Sequence, residues 1–270
     1  MKREQLIRIS LYYKGEYSKI ADCIKNDTYK DNSEMQNIDI SKVNAITIFD
    51  NNYPNELLEL KYPPFVLYYK GNIDLLKSEK VAIVGSRNGY DKYCENATRD
   101  LCYRLNSKSI VVVSGLAKGV DAIAHTYAQK SIGVLGFGID YIYPADNEPL
   151  FHKLKTCGLL LSEYPGDSKP LAFHFPFRNR IIAALSKTLY AMHVTERSGT
   201  TIVINDALEV GRPVRILPYD AYTNNYNNKL ISEGADLITN EELFGKRDET
   251  PAFDIDDSSV GNETLTISAK

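Results

Sequence analysis

From residue 80 onward, short β-branched and aliphatic runs alternate with segments of helical length, and no other feature constrains the fold as much. The runs are Val81-Ala82-Ile83-Val84, Ile110-Val111-Val112-Val113, Ile132-Gly133-Val134-Leu135, Leu159-Leu160-Leu161, Thr188-Leu189-Tyr190-Ala191-Met192, Val214-Arg215-Ile216-Leu217 and Leu237-Ile238. Near-continuous apolar runs are buried on both faces, the condition of parallel strands covered by helices on each side. Seven such strands with helical connections predict an α/β protein with a doubly wound, mostly parallel sheet. Right-handed crossovers put the strand C-termini on one edge of the sheet, where ligands of such folds bind.

Ahead of this region, residues 45–79 hold Ile46-Thr47-Ile48, Tyr53-Pro54, the run Tyr62 to Tyr69 and a Gly71-Asn72 turn signal. Residues 1–44 are polar with short apolar stretches, and are expected to form a small helical segment and linker. Within them, Asn26 to Asn37 is rich in Asn, Asp and Ser and reads as a loop. The main domain is therefore expected at 45–245, with a polar, acidic and disordered tail at 246–270. The last 30 residues carry eight acids and three bases within a chain of net charge −3, so the remainder is near neutral. Any polyanion must be held by a local basic site rather than by bulk charge. The N-terminus lacks the apolar core of a signal peptide, and no run is long enough to span a bilayer. The four cysteines form no CxxC pair and no zinc spacing, and read as reduced cytoplasmic thiols. No metal or cofactor is implied.

Four strand ends lead into Gly, Ser or Thr: Gly85-Ser86-Arg87, Ser114-Gly115-Leu116-Ala117-Lys118-Gly119, Gly136-Phe137-Gly138 and Ser198-Gly199-Thr200-Thr201. Glycine lets the backbone approach a ligand, and the helices that follow point amide hydrogens outward. One such loop is an ordinary turn; four on one edge favour phosphate binding. Neither GxGxxG nor a Walker A sequence is present, which disfavours a dinucleotide dehydrogenase or a P-loop hydrolase.

Residues 171–182 place Phe173, His174, Phe175, Phe177, Arg178 and Arg180 within a few positions of one another. Rings stack on unpaired bases and arginine pairs with phosphate, a combination suited to single-stranded nucleic acid. The other reading makes the phenylalanines core residues and the arginines helix caps or bridges. Asp121 and His125 share a helix face and read as a structural hydrogen bond. Glu163 and Glu196 form a hydrolytic pair only if the fold brings them together.

These motifs, in this order and at these separations, resemble the DNA-processing protein A (DprA, also called Smf) family. The resemblance covers about residues 46–240. It runs from Tyr53-Pro54 through Val84-Gly85-Ser86-Arg87, Ser114 to Asp121, Tyr143-Pro144 and Asn147. It continues through Ser162-Glu163-Tyr164-Pro165, Phe175-Pro176-Phe177-Arg178-Asn179-Arg180, Ser198-Gly199-Thr200 and Gly211-Arg212-Pro213. It implies an extended Rossmann-like core and a homodimer. It further implies a non-enzymatic protein that binds single-stranded DNA, protects it and loads the RecA recombinase during natural transformation. Carried onto this chain, Gly85, Ser86, Arg87, Ser114, Gly115, Lys118, Ser198, Gly199 and Thr200 form phosphate loops. Phe173, Phe175, Arg178, Asn179 and Arg180 form the basic-aromatic loop, and Lys153 and Lys155 are secondary phosphate contacts.

The chain departs from the family pattern at His193-Val194, at Val203 within the Ser198 run, and at Tyr219 and Tyr226. The 30 residues after 240 are too few and too polar for the winged helix that many members carry. Two other readings compete. One is a nucleotide-binding or nucleotide-hydrolysing Rossmann-like module of the phosphoribohydrolase or defence-sensor type; the other is a structural paralogue that dimerises with a full-length relative.

Overall fold

The computed structural model describes residues 1–223 and 225–245; the expected disordered tail lies outside the described residues. All seven expected strands form: β3 (Lys80–Gly85), β4 (Val111–Ser114), β5 (Ser131–Leu135), β6 (Leu159–Ser162), β7 (Leu189–His193), β8 (Val214–Ile216) and β9 (Asp236–Leu237). They pair in parallel in the order β6-β5-β4-β3-β7-β8-β9. Two further strands, β1 (Ala45–Thr47) and β2 (Val66–Gly71), extend the β6 edge antiparallel and make nine among the described residues. The seven-strand expectation is thus short by the two that the 45–79 segment supplies.

Side chains alternate across each strand, so successive residues enter different cores. Val81, Ile83, Val112, Tyr190 and Met192 face one cluster, beneath α4 (Lys92–Ser107) and α5 (Val120–Tyr127). Ala82, Val84, Val111, Val113 and Ala191 face the other, beneath α7 (His174–Ala184) and α8 (Gly199–Glu209). Burial on both faces is why the sequence shows apolar runs rather than alternation.

The first 44 residues form α1 (Arg3–Tyr12), α2 (Tyr17–Asn26) and α3 (Ser33–Gln36). Leu6, Ile7, Ile9, Ile20, Cys23 and Met35 pack in one cluster with Val66, Tyr68 and Leu160 of the sheet. The Tyr68 hydroxyl donates to Ser10 Oγ at 2.9 Å. The loop expected over Asn26 to Asn37 is corrected: Thr28–Asp31 forms a 3₁₀ turn and α3 follows, its first turn capped by Asn32, whose side chain accepts from the Met35 amide at 2.9 Å. Asn32 serves as a helix cap rather than as a linker residue. The other α-helices among the described residues are α6 (Glu148–Cys157), α9 (Tyr226–Ser232) and α10 (Asn240–Phe244).

The strand order reverses between β3, which is followed by α4, and β7, which is followed by α8. Neighbouring loops leave such a point in opposite directions and open a crevice at the strand C-termini.

Candidate nucleic-acid interface

A cleft of about 820 Å³ occupies that crevice. Its walls come from the β3 loop (Gly85, Ser86, Arg87, Asn88), the start of α8 (Ser198, Gly199, Thr200, Ile202, Val203) and α7 with its lead-in (Pro170, Ala172, Phe175, Pro176, Arg178, Asn179).

The loops are fixed from beneath. Pairing of β3 with β7 shifts register at Val84/Gly85, and the Ser86 amide and hydroxyl both donate to the His193 carbonyl, at 2.9 and 3.2 Å. The Ser86 carbonyl accepts from the Val120 amide at 3.3 Å. Gly119 has φ +77°, and a Cβ there would lie 2.3 Å from the Ser86 oxygen, so only glycine allows the β4 loop to close against the β3 loop.

The floor holds two buried titratable side chains, Arg178 and Asp121. Arg178 is 5% exposed; its Nη1 donates to the Gly115 carbonyl at 2.9 Å and also to the Val134 carbonyl. Burial pulls its pKa down to about 10, partly opposed by Asp121, so it stays charged at neutral pH. The Asp121 carboxylate accepts from the Gly115 and Ala117 amides, at 3.1 and 3.4 Å. Burial raises its pKa, while Arg178 and these amides pull it back.

The mouth differs. Arg87 is exposed, and its guanidinium carbon lies 5.6 Å from the centre of the Phe175 ring. Opposite, Ser198 caps α8 in extended geometry, but its side chain makes no cap hydrogen bond, and Ser198 Oγ is buried without a partner among the described residues. A Cβ at Gly199 would meet nothing within 4 Å, and Asn179 Nδ2 donates to the Gly199 carbonyl at 3.4 Å. The first-turn amides of an 11-residue helix and one exposed guanidinium thus line the same open cleft. Such a terminus attracts anions through its free N–H groups and its dipole.

A family model described as DNA recombination-mediator protein A matches residues 44–247. The chain belongs to that family. The DNA processing protein DprA of Streptococcus pneumoniae is 40% identical over 208 residues, covering 74% of this chain and 73% of the relative. That of Bacillus subtilis is 39% identical over 214 residues, covering 75% and 70%. The solved structure of the Streptococcus pneumoniae protein superposes with a TM-score of 0.72 at 36% identity, covering 87% of this chain and 90% of that one. A DNA processing protein A from Helicobacter pylori, whose structure addresses its single-stranded DNA binding mode, superposes at 0.69 with 32% identity over 74% and 93%.

Among the residues that family resemblance singled out, Gly85, Ser86, Arg87, Phe175, Arg178, Asn179, Ser198, Gly199 and Thr200 line one cleft. Others lie elsewhere. Ser114 is fully buried behind the cleft, its hydroxyl donating to the Ile83 carbonyl at 2.6 Å, and Gly115 is covered by the Arg178 guanidinium. Lys118 forms an exposed ion pair with Asp146. Lys153 Nζ donates to the carbonyls of His125, Thr126 and Ala128 at 2.7, 3.0 and 2.7 Å, closing the C-terminus of α5, and Lys155 stands half-buried on the same helix as Lys153. Arg180 turns away: its two Nη atoms each donate to a Glu163 carboxylate oxygen at 2.7 Å, and its Nε to the Tyr62 carbonyl at 2.9 Å. Both arginines of the segment are therefore engaged within the chain, Arg178 by the Gly115 and Val134 carbonyls and Arg180 by Glu163. Phe173 faces a different pocket from Phe175.

Asp121 and His125 do not bond to each other; His125 Nδ1 pairs with Ser131 Oγ at 3.0 Å, and burial holds its pKa at about 3, leaving it neutral. Glu163 is ion-paired and buried while Glu196 is exposed, so the two form no acid pair. Of the departures from the family pattern, Val203 fills a core position, and His193 and Tyr219 pack ring to ring at 6.0 Å.

One carboxylate beside the site is poorly accommodated. Asp206 on α8 has Oδ2 buried without a partner, and burial with Glu209 nearby raises its pKa to about 6. A folded pKa above the unfolded value means that ionisation costs the native state. The cost appears as pH rises past the unfolded carboxylate value and is complete above about 6. Asp206→Asn should therefore raise the melting temperature at pH 7.5, by about 2–4 °C for each kcal/mol recovered, and leave it nearly unchanged at pH 3.5. An equal gain at both pH values would refute the assignment.

Proposed function

We propose that this chain is a non-catalytic, single-stranded-DNA-binding recombination mediator that acts in the cytoplasm as a homodimer, shields incoming strands and loads the RecA recombinase on them. The reading rests on one observation above all: exposed Arg87, beside the half-buried Phe175 ring, faces the unengaged N-terminus of α8 across the switch-point cleft. The amides and guanidinium suit phosphate, and the ring suits an unstacked base. The contact set proposed is Gly85, Ser86, Arg87, Phe175, Asn179, Ser198, Gly199 and Thr200, with Arg178 and Asp121 holding the floor. Family membership and the single-stranded DNA binding mode of the Helicobacter pylori relative support the same reading. Against hydrolysis, Asp121 is the sole carboxylate among the described residues of the cleft wall, and it is engaged by two backbone amides.

Anisotropy titration of a thymidine oligonucleotide tests this. Affinity should fall as salt rises from about 50 to 200 mM, with a logarithmic slope near −0.7 per phosphate contacted, and duplex of the same length should bind more weakly. Absence of binding at low salt would sink the proposal. Calorimetry showing tighter binding of a nucleoside monophosphate than of the oligonucleotide would favour the nucleotide-module reading instead.

A further inference from the structure

A second pocket, of about 390 Å³, opens on the other side of the first turn of α7. Phe173, His174 and Phe177 line it from α7 and its cap, Tyr62 and Tyr164 from neighbouring loops, and Tyr17 with Glu16 from the start of α2. We propose that this aromatic pocket takes one unstacked base of the strand held in the cleft, with Lys61 meeting the adjoining phosphate; the proposal rests on the single-stranded-DNA reading above and deepens it.

Four observations carry it. The two sites share a wall: on a helix, residues 173 and 177 fall on one side and 175 and 176 turn toward another. A strand leaving the Phe175 side thus needs only to cross one helical turn, about 10–12 Å wide. The walls are flat rings rather than aliphatic knobs. Tyr17 stacks on Phe65 at 4.8 Å and meets Phe177 edge-on at 5.8 Å, while His174 stacks on Tyr164 at 3.9 Å. Base–aromatic stacking needs such faces and tolerates any base. Phe173 is 65% exposed at the rim, a large apolar surface with no cover. His174 is only 5% exposed, its ring meets Phe173 edge-on at 4.5 Å, and its two ring nitrogens, a donor and an acceptor in the neutral imidazole, have no hydrogen-bond partner among the described residues.

Charge agrees with a nucleotide. Lys61 Nζ lies 5.3 Å from the Tyr62 ring centre and has no carboxylate partner among the described residues. The two nearby acids are neutralised, Glu16 by Lys19 at 2.8 Å and Glu163 by Arg180. The pocket is also held in shape: Gly15, at φ +78°, brings the α1–α2 turn against the Glu163 carbonyl, where a Cβ would approach to 2.2 Å.

The test uses the full chain and a thymidine oligonucleotide carrying a single 2-aminopurine, whose fluorescence falls when it stacks. Aminopurine placed at successive positions should show one site of quenching that depends on Phe173 and a separate site that depends on Phe175. Phe173→Ala should abolish the first and lower affinity about five-fold or more, the loss expected for one stacked base. Lys61→Ala should lower affinity two- to five-fold. Both side chains are exposed, so the variants keep their fold, and circular dichroism verifies it. Arg87→Ala should weaken binding yet keep the Phe173-dependent quench at saturating protein. Tight binding by anisotropy with no quench that responds to Phe173→Ala would overturn the second pocket and leave the cleft standing, pointing to a peptide of a partner protein as its occupant. Failure of the wild-type chain to bind the oligonucleotide would remove both.

Discussion

Arg87→Ala should weaken binding of a thymidine oligonucleotide by about 10- to 100-fold, the range of one charge-assisted hydrogen bond to a phosphate, and should do so for every base composition. Arg87 is the exposed cation among the described residues of the cleft wall; Arg178, the other arginine there, is buried against the Gly115 and Val134 carbonyls. Removing Arg87 also strips the cation from the Phe175 face, 5.6 Å away. The dependence on salt should become shallower by about 0.7 in logarithmic slope, one phosphate's worth. Arg87→Lys should recover part of the affinity, because it keeps the charge but loses the planar fork and the stacking on Phe175. Lys153→Ala is the contrasting variant. Its ammonium closes the carbonyl end of α5, so it should lower the melting temperature while leaving the affinity of the folded protein within two-fold. Anisotropy titrations at two salt concentrations measure all three. An Arg87→Ala protein with unchanged affinity and slope would remove the cleft from the binding site.

The parallel sheet was legible because burial on both faces writes itself into the chain as apolar runs, from Val81 to Met192; the edge strand β9 is exposed at both of its residues. The antiparallel edge strands were not counted, since β1 has three residues and β2 ends in half-buried Tyr69 and Lys70. The turns at 28–36 were misread because Asn32 as a cap and Asn as a linker residue are the same letter until the Met35 amide is placed beside it. Much the same holds at the site. Glycine and serine at strand ends located the cleft, because backbone geometry there follows from position in the fold. Arginine and lysine side chains are long enough to reach in any direction, so Arg87, Arg178, Arg180 and Lys153 looked alike in the sequence. Only tertiary placement separates a guanidinium at a cleft mouth from one on a buried carboxylate. The split of Phe173 from Phe175 could have been anticipated from helical periodicity, had the start of α7 been known to lie at His174.

The Arg180–Glu163 pair decides between a structural and a DNA-contacting role for the second arginine of the segment, and it predicts a large effect on stability. Both side chains are less than one-tenth exposed and meet in a two-pronged contact, with each N–O distance 2.7 Å. Arg180→Met should destabilise the protein by about 3–5 kcal/mol, because it leaves the Glu163 carboxylate buried without its counter-charge. The Tyr62 and Phe177 carbonyls lose their donors as well. Glu163→Leu should cost a similar amount for the mirror reason. The double variant Arg180→Met/Glu163→Leu should be far more stable than the sum of the two, since no uncompensated charge remains; the cycle should show coupling of about 0.5–3 kcal/mol. Urea denaturation gives these values directly. The decisive companion measurement is oligonucleotide affinity of the double variant under conditions where it is fully folded. A bridging Arg180 predicts affinity within about three-fold of the parent, because the cleft floor at Arg178 and the mouth at Arg87 are untouched. A double variant that folds normally but loses binding to the degree expected of Arg87→Ala would place Arg180 on the DNA, and would mean that the Glu163 contact opens when the strand arrives.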